Sequence, residues 1–121
     1  PMQKRQSGRL TGHQMRKLER GFDQRGGQRM SIAEMAQLVG LSESWFSHVF
    51  KSTTGMTPVR WQKDRRIGNA QMLLRESDLS VAEVAARLGF SDQSHFTKVF
   101  RDVAGHTPAS WRRLVLHRLE E

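Results

Sequence analysis

Apolar residues recur along this chain at helical spacing, and the recurrences fall into two matching sets. Ile32, Met35, Ala36 and Val39 form one stripe, and Val81, Val84, Ala85 and Leu88 form its counterpart. Each stripe opens on a capping box, Ser31-Ile-Ala-Glu34 and Ser80-Val-Ala-Glu83. In such a box the serine hydroxyl and the glutamate carboxylate satisfy N–H groups left free at a helix start. Gly40 and Gly89 close the stripes, since a helix C-terminus favours a residue that accepts the left-handed conformation. Two residues later a serine (Ser42, Ser91) is placed to cap a second helix. Its apolar face is Phe46, Val49 and Phe50 in one copy and Phe96, Val99 and Phe100 in the other.

Gly55 and Gly105 end these second helices. Thr57-Pro58 and Thr107-Pro108 then put a capping hydroxyl before a proline at the first helical position, where its missing N–H costs nothing. The first of these opens a long helix, about 58–76, with Ile67, Ala70 and Leu74 on one face. Upstream, Thr11-Gly-His-Gln14 is a further capping box, Met15, Leu18 and Phe22 form a stripe, and Gly26-Gly27 ends it. The pattern predicts an all-α fold: seven helices forming two helix-turn-helix subdomains joined by a long linker helix. The expected parts are a basic flexible arm (1–9), a first subdomain (10–56), the linker helix (57–77) and a second subdomain (78–121).

The two sets are an internal repeat. Ser31 to Trp61, SIAEMAQLVGLSESWFSHVFKSTTGMTPVRW, reappears as Ser80 to Trp111, SVAEVAARLGFSDQSHFTKVFRDVAGHTPASW. Up to the turn the offset is 49 (Ser31 with Ser80, Gly40 with Gly89); from Phe46 with Phe96 onward it is 50. One residue is therefore inserted, and the expected place is near Gln93-Ser94.

Composition narrows the class. Of 121 residues, 20 are Lys or Arg and 12 are Asp or Glu, for a net charge of +8. A small protein with that balance is drawn to polyanions, chiefly nucleic acid or anionic membrane surfaces. Cysteine is absent, which removes disulfides and thiol nucleophiles and fits a reducing cytoplasm. The five histidines make no metal-ligand cluster, no apolar run is long enough to span a bilayer, and no cofactor, catalytic constellation or membrane association is expected. The chain opens Pro1-Met2 rather than with methionine, which suggests a piece of a longer protein or residues left from cloning.

The paired motif points to double-stranded DNA. A 19-residue connector at ~1.5 Å per residue spans roughly 28 Å, close to the ~34 Å that separates successive major grooves on one face. One chain then carries what most helix-turn-helix proteins obtain by dimerising, so a monomer suffices. With Phe46, Val49 and Phe50 turned inward, helical geometry leaves Ser44, Ser47, His48 and Lys51 on the outer face; Gln93, Thr97, Lys98 and Arg101 likewise lie opposite Phe96 and Phe100. Gln pairs with adenine, Lys donates to guanine, and Ser or Thr meets several base edges. Lys51, Arg101 and Arg112 suit phosphate, as do the helix N-termini at Ser42 and Ser91. Trp45, on the rim, reads as packing or a phosphate-side contact before a base contact, and His95 as a DNA contact before a structural one.

These residues resemble the C-terminal DNA-binding domain of the AraC/XylS family of bacterial transcription regulators, from about Leu10 to Arg113. The most specific part is ARLGFSDQSHFTKVFRDVAGHTPASWRR, and RRIGNAQMLLRES is similar to the family's linker helix. The resemblance implies recognition helices at about 42–53 and 92–103 inserted into successive major grooves, at an asymmetric site of two boxes one turn apart. It implies base contacts from Ser44, Ser47 and His48 in the first unit and from Gln93, Ser94, His95, Thr97 and Lys98 in the second. It further implies transcription activation and RNA polymerase as a partner. The family often carries Arg where His48 and Lys98 stand. A neutral His is the weaker donor, so the first unit is expected to add less specificity, or to bind better at lower pH. The competing reading is a protein-interaction module that docks on a partner without reading bases; an enzyme is the weakest reading.

Overall fold

The computed structural model describes the backbone of residues 8–120 and side chains to residue 118. Most of the expected basic arm, residues 1–7, lies outside the described residues. Seven helices and no strand are present among them: α1 Gly12–Gln24, α2 Ile32–Leu38, α3 Glu43–Thr54, α4 Pro58–Glu76, α5 Val81–Arg87, α6 Gln93–Ala104 and α7 Pro108–Glu120. They form two compact units that divide inside α4, between Gln62 and Lys63.

The helix starts are built by the expected boxes. Thr11, Ser31 and Ser80 each accept from the N–H three residues on, while Gln14, Glu34 and Glu83 reach back to the capping residue's own N–H. Hydrogen bonds from the Ser31 backbone and hydroxyl, reinforced by Arg25, hold the Glu34 carboxyl below its ordinary range. Those from Ser80 do the same for Glu83, with Arg87 adding attraction. Thr57 and Thr107 open α4 and α7, their hydroxyls accepting from the N–H of Arg60 and Ser110.

Between the paired helices the turn is a Schellman closure. In unit 1 the N–H of Leu41 reaches Ala36 O at 3.0 Å and that of Gly40 reaches Gln37 O at 3.2 Å. In unit 2 Phe90 reaches Ala85 O and Gly89 reaches Ala86 O, both at 3.0 Å. This needs a left-handed residue, and Gly40 (φ 71°) and Gly89 (φ 80°) supply it without a Cβ penalty.

Each unit buries its own aromatic core. Phe22, Phe46, Phe50 and Trp61 pack in unit 1, with Phe50 edge-on to Trp61 at 5.6 Å. Phe90, Phe96 and Phe100 pack with Ile67, Ala70, Leu74 and Leu88 in unit 2, where Phe100 meets the half-buried Trp111 at 6.0 Å. A buried ring of this size stabilises by about 2–3 kcal/mol through lost water contact, so truncating Phe50 or Phe100 strikes the centre of its unit. Loop-to-helix bonds lock α1 down: Leu10 N–H donates to the Thr53 hydroxyl on α3 at 2.7 Å, and Gln14 Nε2 donates to Val39 O at 3.3 Å.

Helix α6 corrects one expectation. Its N-cap is Asp92, whose carboxylate accepts from the His95 N–H at 2.7 Å, and not Ser91. Ser42 does cap α3, accepting from Trp45 N–H. The inserted residue therefore falls in the turn before α6 rather than near Gln93-Ser94: α5 follows α2 by 49 residues, but α6 follows α3 by 50. The turn with the extra residue buries Phe90, where its counterpart leaves Leu41 half-buried.

Candidate nucleic-acid interface

The inward face of α3 is fixed by Phe46, Val49 and Phe50, all fully buried. A helix turned that way must present Ser44, His48 and Lys51 to solvent, and all three are exposed, with Ser47 half-buried beside them. On α6, Phe96 and Phe100 are buried; Gln93, Ser94, His95, Lys98 and Arg101 are exposed and Thr97 is half-buried. At the offset of 50 the faces correspond residue by residue: Ser44 with Ser94, Trp45 with His95, Ser47 with Thr97, His48 with Lys98 and Lys51 with Arg101.

The two faces differ in charge. The α3 face brings one cation, Lys51, and an acidic first-turn residue, Glu43; the α6 face brings Lys98 and Arg101, with Gln93 standing where α3 has Glu43. The aromatic support differs too. His48 stacks on Trp45 with ring centres 5.1 Å apart and planes at 28°. His95 instead meets Phe90 edge-on at 5.5 Å and 63°.

Two positions named from the sequence sit differently from expectation. Ser91 is exposed, but the end of α6 it was meant to open carries the Asp92 carboxylate, which already meets the positive end of the helix dipole. Arg112 is half-buried and held by the protein itself: its Nε donates to Leu74 O at 2.7 Å and its Nη2 to Ser77 O at 3.1 Å. It closes the C-terminal end of α4.

Three supporting residues lie outside the helical stripes and capping boxes that the sequence displays. Gln62, 2% exposed, grips Met30 by both backbone groups, accepting from its N–H at 2.7 Å and donating to its carbonyl at 3.0 Å. Arg66 lies 4.0 Å over the Phe90 ring and donates to Leu88 O at 2.9 Å, tying α4 to the second turn. Asp92 caps α6. The shift of offset in the turn is the sequence clue to Asp92; Gln62 and Arg66 have none.

No group of His, Asp or Glu side chains among the described residues is arranged to hold a metal ion. No helix among them is long and apolar enough to cross a membrane.

A family model described as a helix-turn-helix domain matches residues 35–114, about two thirds of the chain. The arabinose operon regulatory protein of Escherichia coli K12 is 40% identical over 62 residues, 51% of this chain and 21% of that protein. The chain belongs to the AraC/XylS family of helix-turn-helix regulators. Its AraC-type fold is that of the DNA-binding domain of AdpA, a global transcriptional factor solved in complex with a target DNA. That match has a TM-score of 0.77 and 30% identity, covering 85% of this chain and 93% of that one. The activator RhaS of Escherichia coli SE11 is 39% identical over 61 residues, 50% of this chain and 22% of the activator. The chain thus spans about a fifth of the length of the curated AraC-type relatives it matches.

Proposed function

We propose that this AraC-type domain binds double-stranded DNA sequence-specifically as a monomer, with α3 and α6 as the reading helices. The carrying observation is that both helices turn an equivalent polar row to solvent (Ser44, Ser47 and His48; Ser94, Thr97 and Lys98) in a fold shared with a domain solved on its target DNA. Gln93, His95 and Lys98 meet base edges from α6. Lys51 and Arg101 meet phosphate, which supplies affinity without sequence information. Because the two faces differ, the site is asymmetric. The two boxes lie about one helical turn apart in successive major grooves, a spacing that a connecting helix of 19 residues, roughly 28 Å long, is long enough to serve.

The protein to which the domain belongs acts by binding rather than catalysis, in the cytoplasm. It activates transcription, a reading that the name of the RhaS activator supports, and its partner there is RNA polymerase. Selection from a random duplex library at ~150 mM salt, where nonspecific phosphate attraction is weak, tests the reading. Two enriched blocks about ten base pairs apart are expected. A single block assigns base reading to one helix alone. No enrichment at all overturns the reading in favour of a protein-docking module.

A further inference from the structure

Trp45 stands on the rim of α3, half-buried, packed against the core of unit 1 on one side and stacked on His48 on the other. Its indole Nε1 is buried and meets no hydrogen-bond partner. Buried polar groups are nearly always paired, so an unpaired one asks for a reason. The ring is held there by packing and by its face, not by its N–H.

What the face does is fix an imidazole. A helical side chain leans toward the N-terminal turn, so residue 48 lies back over residue 45. A stacked ring has its flat sides covered or committed and its edge free, and both ring nitrogens of histidine lie on that edge. His48 is exposed; without a support its ring samples several rotamers, each of which must be lost on meeting a base. The equivalent pair on α6, His95 and Lys98, puts a flexible stem in the reading position instead.

We propose that Trp45 is a positioning residue: its indole face pre-sets the His48 imidazole edge, and through it sharpens one base position in the box met by α3, the partner being a purine N7 or guanine O6 acceptor in the major groove. This rests on the DNA reading above, and the experiment separates the two.

Binding of the 121-residue chain is measured on its selected duplex and on every single-base variant of the first box, for wild type, His48→Ala, Trp45→Leu, Trp45→Phe and the Trp45→Leu/His48→Ala double variant. The His48 ring C–H resonances are recorded by NMR without DNA. Trp45→Leu is expected to weaken the best duplex about three- to tenfold, the worth of freezing one side chain. It flattens the same base position as His48→Ala, and the double variant loses no more than His48→Ala alone. Trp45→Phe, which keeps a ring face and sheds the unpaired N–H, retains the preference. The His48 resonances shift in Trp45→Leu as the ring current is removed.

Should Trp45→Leu lose its helical circular dichroism, Trp45→Met replaces it with the same expectations. A uniform loss on all duplexes, additive losses in the double variant, or unmoved His48 resonances each overturn the proposal. A wild-type chain that selects no sequence overturns the DNA reading and this inference together. One that selects while Trp45→Leu stays sharp at the His48 position overturns this inference alone.

Discussion

In unit 1 the segment entering the helix-turn-helix is gripped by an amide; in unit 2 the equivalent place in the repeat carries a guanidinium. Gln62 and Arg112 each follow a tryptophan (Trp61, Trp111) at the offset of 50, yet they face different backbone groups. Gln62 meets one residue's N–H and carbonyl together, so it needs an acceptor beside a donor. Arg112 meets two carbonyls left open at the end of α4, at Leu74 and Ser77, and only donors are of use there. The repeat keeps the position from which each unit is clamped and changes its chemistry to suit what the backbone presents. Equivalence in a repeat is thus equivalence of place, not of hydrogen-bond partner.

Exchanging the clamps breaks that comparison most severely. Gln62→Arg buries a charge without a counterion and leaves the Met30 N–H without its acceptor, and is expected to cost unit 1 about 3–5 kcal/mol, read by urea unfolding. Arg112→Gln removes hydrogen bonds from a charged donor and is expected to cost unit 2 about 1.5–3 kcal/mol. Losses of equal size from the two exchanges would show that the surrounding backbone does not set the chemistry.

The reading faces offer the next contrast. Lys98→Ala is expected to lose about 1–3 kcal/mol on the preferred duplex and to relax one base position, whereas Lys51→Ala weakens cognate and random DNA alike and lowers the slope of affinity against salt. Equal effects of both changes on both duplexes would erase the division between base and phosphate contacts.

The caps differ more gently. Ser42→Ala and Asp92→Ala each remove an N-cap, worth about 1 kcal/mol of stability in thermal melts. Only Asp92→Ala also removes a negative charge from the α6 end, so it alone is expected to tighten binding to random DNA at low salt.

The two capping boxes give the smallest effect, and here the units should agree. Glu34 and Glu83 are both held below their ordinary value of 4.5 in the folded chain. Their stabilisation is therefore present above pH 4.5 and is lost as pH falls through the lower folded value. Melting temperatures of wild type should fall faster with acid in that range than those of Glu34→Gln or Glu83→Gln, with the gap shrinking at high salt, since both carboxylates are exposed.

The helices and most of their ends were readable because a helix advertises itself locally. Its stripe, its capping serine and its closing glycine lie within a dozen residues. The outward row of each reading helix followed from the same arithmetic once the phenylalanines were turned inward. In the turn before α6, Ser91 and Asp92 are both good caps, so the residue pattern does not choose between them; the helix uses Asp92. Gln62, Arg66 and Arg112 act on carbonyls or N–H groups 22 to 38 residues away, and nothing in a one-dimensional pattern marks such partners. Charge makes Arg112 a phosphate candidate, and the sequence does not show that its guanidinium also donates to carbonyls at the end of α4.

That helix belongs to two cores at once. Trp61 and Gln62 near its start wall the first, and Ile67, Ala70 and Leu74 wall the second. Any scissile point within residues 58–76 leaves one half without a wall or the other without its lead-in helix. Fragments meant to carry a single reading head should therefore keep the whole of α4, and halves that overlap across it, each holding its own copy, are the ones expected to stand alone.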